Sequence, residues 1–318
     1  NRCRQFSRDR TCRHIARKSS LNQVLVIHGG DAISPSLMST IDQGAHMIDV
    51  LNMIGLDAFV PGNHEFDFGE KVFLTRMSEA RFPIFAANLR DKQGNTVEGI
   101  RDFQIVEWPN LRVGLIGLTA EDSPKKSRPD SLKFNAATEE AKTLVKKLRE
   151  KNVDIIIIVT HSPREIDLRL VRESGADIIL SGDDHDVSLI YDGKTAFVEA
   201  GHEGEFIFEV NVRFETRGDG VARKKNWVPD FKVIDVGTIS EDELVKERVS
   251  QYEKALAKTI NEPLAKTLVE LDSRSHTLRS GEARIANLFA DAIRFETNAE
   301  FALLNGGSFR GNHVYDAG

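Results

Sequence analysis

The chain has 318 residues, 40% of them hydrophobic and 29% charged, with a net charge of −6. That composition is globular and the length suits one large domain plus part of a second; no apolar run approaches the ~20 residues that a membrane-spanning helix needs. The only two cysteines, Cys3 and Cys12, lie in the first twenty residues, which excludes a disulfide framework for the body and leaves no thiolate metal motif.

Residues 1 to 22 form a basic segment, with Arg2, Arg4, Arg8, Arg10, Arg13, Arg17 and Lys18 set against Asp9. Such charge attracts anionic partners, but no nucleic-acid module or apolar stretch accompanies it. An irregular end, or the edge of a longer sequence, is the expectation, with no specific nucleic-acid partner.

From residue 23 the pattern is α/β. Apolar runs predict strands over Val24–Ile27, Ala58–Val60, Ile84–Ala86, Val113–Ile116, Ile155–Val159 and Ile178–Leu180. Helical patterns fall between them, over Ala45–Ile54, Glu139–Glu150 and Arg164–Glu173. After about residue 195 the alternation of Glu205–Phe214 predicts antiparallel strands. Ser240 with Glu243 makes a capping-box pattern, and Val245, Val249, Tyr252, Leu256 and Ile260 follow at helical spacing. The predicted organisation is a catalytic-type domain over 23–238, a linking helix over 239–262 ending at Pro263, and the start of a second domain over 263–318.

Four polar clusters sit at the ends of apolar runs: Gly30-Asp31, Gly62-Asn63-His64-Glu65, His161, and Gly182-Asp183-Asp184-His185. In open α/β sheets such strand ends converge on ligands. Carboxylate, amide and imidazole donors from four separate points suit a divalent ion such as Zn²⁺ or Mn²⁺, and two such ions are the donor demand of a dinuclear phosphoesterase. Taken singly, each cluster also has an ordinary structural reading; their joint occurrence in this order carries the metal reading. Asp67, three residues after His64, can orient its ring, and Glu65 reads as fixing the loop rather than reacting. His28, at a strand end, reads as structural.

These phrases resemble the calcineurin-like metallophosphoesterases, and more narrowly the 5′-nucleotidase and UDP-sugar hydrolase family. Leu278-Arg279-Ser280-Gly281-Glu282, Asn287 to Ala292 and Asn305-Gly306-Gly307-Ser308-Phe309-Arg310 resemble that family's carboxy-terminal signatures. The resemblance implies a four-layer α/β sandwich, a linking helix and a truncated α+β second domain. It implies Asp31 as a ligand bridging two divalent metals, with Asn63 and His161 on the second and His185 on the first. It makes His64 the catalytic histidine beside Asp67, and Arg279, Asn305 and Arg310 the substrate contacts.

Two departures stand out. Asp183 takes the place of a family histidine, adding negative charge and favouring harder cations. The family's Asp-Xaa-His on its first strand has no counterpart in residues 1 to 30, so a fragment lacking that strand is the expectation. The activity implied is hydrolysis of nucleotide phosphate esters by a metal-activated water. Two alternatives stay open: a 2′,3′-cyclic phosphodiesterase or nucleotide-sugar hydrolase, and a catalytically impaired nucleotide-binding or surface-interaction relative. An extracytoplasmic location follows from the resemblance alone.

Overall fold

A computed structural model describes residues 8, 10, 11, 13, 23–217, 224–261, 265–309 and 311–318. The chain divides into two compact units, Asn1–Leu256 and Ala257–Gly318, and the division falls inside the helix Glu243–Ile260. The basic segment expected over 1–22 lies almost wholly outside the described residues, as does Pro263. No helix among the described residues is long and apolar enough to cross a membrane.

In the first unit the apolar runs build two sheets. One is parallel throughout, in the order Ile27–His28, Ala58–Phe59, Ile84–Phe85, Ile100–Arg101. The other runs Val187–Tyr191, Ala196–Ala200, Ile178–Gly182, Ile155–His161, Leu111–Leu118, Phe103–Trp108. Its four inner strands are parallel and its two edge strands antiparallel.

Burial on both faces explains the nearly unbroken apolar runs. Ala58, Val60 and Phe85 pack with Leu115 and Val159 between the two sheets. Helices Ala45–Ile54, Glu70–Glu79 and Glu243–Ile260 cover the far side of the first sheet through Met47, Leu51, Phe73, Met77, Val245 and Val249. Helices Ala137–Glu150 and Arg164–Glu173 cover the far side of the second through Leu144, Val145, Leu148 and Leu170. The result is a helix–sheet–sheet–helix sandwich, the four-layer α/β architecture expected.

Helix Ala137–Glu150 shows how local sequence serves that layering. Ala141, Leu144, Val145 and Leu148 are buried at helical spacing, with Glu139 and Glu140 in the first turn and Lys147 and Arg149 in the last. That charge order complements the helix dipole. The antiparallel pair Phe206–Arg217 and Lys224–Asp235 replaces the shorter predicted strand Glu205–Phe214, and Val210, Val212, Trp227 and Phe231 pack against the second sheet's Val113 and Ile178.

Two local expectations are corrected. The strand predicted over Val24–Ile27 pairs only at Ile27–His28, because the Val26 amide donates to Asp57 Oδ2 at 2.9 Å instead of to a ladder carbonyl. The helix predicted to be capped by Ser240 starts at Glu243, and Asp242 caps it, its Oδ1 accepting from the amides of Leu244 and Val245 at 3.1 and 3.2 Å. Asp is as good a cap as Ser, and it lies nearer the apolar face.

The second unit holds helices Ser275–Ser280 and Arg284–Thr297 and the antiparallel pair Leu271–Asp272 with Val314–Tyr315. Its core is small, centred on Leu278, Ala283 and Ile285. Leu268, Phe295, Phe301 and Leu303 stand at least 80% exposed.

Candidate metal centre

The site is assembled where the two sheets' strands end. His161 is the last residue of strand Ile155–His161 and lies in register with Gly182, the last residue of Ile178–Gly182. Asp183 follows at once. From the other sheet, strand Ile27–His28 leads into Gly30 and Asp31, and Ala58–Phe59 leads into Gly62 and Asn63. His28 is structural, as expected: its Nδ1 accepts from the Gly30 amide at 3.0 Å and its ring stacks on Phe59.

Two glycines make this approach feasible. Gly30 has φ +97°, and a Cβ there would strike the Gly62 backbone; a Cβ on Gly62 would strike the Asp31 carboxylate and the His161 ring. Any side chain at either position would push the loops apart. The loops are then pinned by one buried group. The Glu65 carboxylate accepts from the amides of Gly62, Ala32, Asp31 and Ile33 at 2.6, 2.7, 2.8 and 3.1 Å. Burial and the neighbouring Asp31 charge raise its pKa, and the backbone amides oppose that rise.

Asp31, His161 and Asp183 meet at one point. His161 Nδ1 donates to the Gly29 carbonyl at 2.6 Å, so the tautomer is set and Nε2 faces the carboxylates. That atom lies 3.1 Å from Asp31 Oδ2 and 3.6 Å from Asp183 Oδ1, without the alignment of a hydrogen bond to either. Burial disfavours the imidazolium, yet the two carboxylates and the Gly29 carbonyl hold the His161 pKa well above its ordinary value. Against the burial that would raise them, His161 holds Asp31 low, and His161 together with Lys126 holds Asp183 at about 2. The two carboxylates thus make the surroundings of Nε2 favourable to positive charge, which suits a cation.

Asn63 supplies the test of fit for a metal ion. It is 4% exposed, and its Oδ1 is buried without a hydrogen-bond donor. An orphaned buried acceptor costs free energy; a cation bound beside it removes that cost. Two carboxylates, an amide oxygen and an imidazole nitrogen are donors that suit a borderline or hard divalent ion. Among the described residues no group of three or more His, Cys, Asp or Glu already has the geometry of a metal centre.

His64 points elsewhere. Its amide donates to Asp31 Oδ1 at 2.9 Å, while Nδ1 lies 2.6 Å from Asp67 Oδ2, which also accepts from Ser34 Oγ at 2.8 Å. The bond to Asp67 raises the His64 pKa, burial opposes it, and the Asp31 charge adds to the rise. With Nδ1 engaged, Nε2 is the nitrogen left to face solvent, and the side chain is 36% exposed.

Sequence reasoning missed the charges that hold the second loop. Lys126 Nζ lies 3.0 and 3.1 Å from the two Asp183 oxygens and 3.3 Å from Asp122. Arg164 reaches Glu199 at 2.5 Å, Ser188 at 3.1 Å, Asp186 at 3.3 Å and Asp184 at 3.8 Å. Asp167, fully buried, accepts from Ser181 Oγ at 2.7 Å, and burial pushes its pKa up to about 8 despite that bond. The one sequence signal was Asp167, a carboxylate three residues before Leu170 on the face that helix Arg164–Glu173 buries.

Within the first unit, His185 is not gathered with these. His185 is exposed at φ 66°, its ring edge-on to His202 at 5.5 Å. In the second unit Asn305 Oδ1 accepts from the Gly307 amide at 3.0 Å, capping the short helix Gly306–Ser308, while Arg279 lies in helix Ser275–Ser280. Arg310 lies outside the described residues.

The chain is similar to known proteins over most of its length. The chain is 26% identical over 325 residues to human 5′-nucleotidase, covering 90% of this chain and 55% of that protein. It is 26% identical over 331 residues to the snake venom 5′-nucleotidase of Gloydius brevicauda, covering 92% and 55%. Among solved structures, a 5′-nucleotidase precursor from Thermus thermophilus superposes with a TM-score of 0.70 at 21% identity, over 94% of this chain and 61% of that one. The chain therefore spans about half the length of the curated relatives it matches. Residues 5–187, more than half of the chain, match the calcineurin-like phosphoesterase family, and the chain belongs to that family.

Proposed function

We propose that this protein hydrolyses phosphate esters of nucleotides, nucleoside 5′-monophosphates foremost, as a metal-dependent 5′-nucleotidase. Calcineurin-like phosphoesterases use divalent metal ions. The observation that carries the reading is the buried Asn63 Oδ1 without a donor, beside the converging Asp31, His161 and Asp183. Those four residues would hold one ion, and His185 would contribute to a second. When bound, such ions supply Lewis acidity, lowering the pKa of water and neutralising phosphoryl charge.

The chain's own residues supply the rest. His64, oriented through Nδ1 by Asp67, presents Nε2 to the leaving oxygen and delivers a proton there, a role worth about 10²–10⁴ in rate. Glu65 holds the amides of Gly62, Asp31, Ala32 and Ile33 and so ties together the loops that carry Asp31 and Asn63. Arg279 and Arg310 are the proposed phosphate contacts, suited by the planar guanidinium fork. Asn305, its carbonyl oxygen used in capping, would offer its amide N–H groups to the nucleoside. An extracytoplasmic location belongs to the same proposal and is supported by relatedness to a venom enzyme.

The test is hydrolysis of nucleoside monophosphates before and after chelation, with metal content measured by mass spectrometry. Chelator should abolish turnover and divalent ion restore it. His64→Ala should lower kcat about 10²–10⁴-fold with metal content unchanged. Turnover that survives chelation refutes the reading. The Lys126–Asp183 pair favours one second reading, a nucleotide-binding relative with impaired turnover, which predicts nucleotide binding without hydrolysis at saturating metal.

A further inference from the structure

The position where the resemblance leads to a histidine holds Asp183 instead, and the fold answers that change with a cation. Lys126 ends the four-residue helix Ser123–Lys126, which follows strand Leu111–Leu118. Its Nζ contacts both Asp183 oxygens, at 3.0 and 3.1 Å, and Asp122 Oδ2 at 3.3 Å. The Asp183 side chain is 12% exposed and that of Lys126 34%, so water screens this pair only in part. Together the two side chains are neutral, as one histidine would be.

The pair is nevertheless not equivalent to a histidine. Asp183 Oδ1, the oxygen nearest His161 Nε2 at 3.6 Å, is also one of the two that Lys126 grips. Any ion that Asp183 ligates would therefore share its carboxylate with that ammonium. Like charges at such separation repel, and a dication doubles the effect. We propose that Lys126 competes with the divalent ion for Asp183, and so sets metal affinity and ion preference at the Asp31–Asn63–His161–Asp183 cluster. The inference rests on the metal-site reading above. Holding an ion there would require Asp183 to give up at least part of its contact with Lys126.

The test measures binding directly, by calorimetric titration of Mn²⁺ and Zn²⁺ into the metal-stripped protein. Lys126→Met should bind Mn²⁺ about tenfold more tightly than wild type, a change that counts as substantial for one removed charge. Lys126→Gln, which keeps a polar tip, should shift in the same direction, and thermal melting checks that both variants fold. In an Asp183→His background the Lys126→Met effect should shrink toward nothing, because the shared ligand is gone. Wild type that binds metal with an affinity unchanged or weakened in both Lys126 variants overturns the inference while sparing the metal site. Absence of uptake by wild type and variants alike overturns the metal reading, and the inference with it.

Discussion

The two loops that meet at the site are held by opposite means. Residues 62–67 are organised by a single buried carboxylate, Glu65, that gathers four backbone amides from two chain segments. Residues 182–186 are organised by ion pairs, through Lys126 on Asp183 and Arg164 on Asp184, Asp186 and Glu199. Hydrogen bonds to fixed backbone have one geometry, whereas long cationic side chains have several of similar energy and respond to salt. The first loop therefore presents Asn63 and His64 ready-made. The second presents Asp183 in a position that a metal ion can renegotiate, and leaves His185 exposed.

Removing the central group of each loop is the strongest way to break that contrast. Glu65→Ala strands several buried amide donors and should cost about 3–5 kcal/mol in urea unfolding; a loss below ~1 kcal/mol would show that the loop is held otherwise. Arg164→Met should cost less, about 1–3 kcal/mol, because the partly exposed guanidinium is screened and the stranded Glu199 can take up a proton. Its cost should also fall between low and high salt, while that of Glu65→Ala stays constant. Equal salt dependence would erase the distinction.

The smallest effect sharpens the comparison through pH. Asp167, beneath the second loop, has its pKa raised to about 8 from 3.8. The folded chain keeps a proton there that the unfolded chain releases above ~4, so this contribution to stability is full at low pH and is lost as pH rises toward 8. Glu199 and Asp184 are shifted in the same direction by burial. Thermal melts should therefore show wild type losing a few degrees between pH 6 and pH 8. Asp167→Asn, which cannot ionise, should flatten that decline; a slope identical to wild type would remove Asp167 from the account.

Much of the site could be read from residue order because it depends on local chemistry. Strand-end placement put Asp31, Asn63, His161 and Asp183 at one edge of the sandwich, and the three-residue step from His64 to Asp67 is short enough for a loop to close. Glu65 was legible as a loop-fixing residue, although not which four amides it would collect. Other features had no local signature. Lys126 is a lysine in an ordinary Pro-Lys-Lys stretch, fifty-seven positions from its partner. Arg164, Asp167 and Glu199 become a network only when helix Arg164–Glu173 is laid against strands Ile178–Gly182 and Ala196–Ala200.

By itself the sequence determined the α/β layering, the family, and the donor types offered to a metal, because periodicity and side-chain chemistry are properties of short segments. Only the tertiary structure decided which strands pair in which sheet, that Asn63 Oδ1 is buried without a donor, and that Asp183 is already paired with an ammonium. Those outcomes depend on burial and on electrostatic contacts between distant segments, which exist only once packing has excluded water from the place where the strands end.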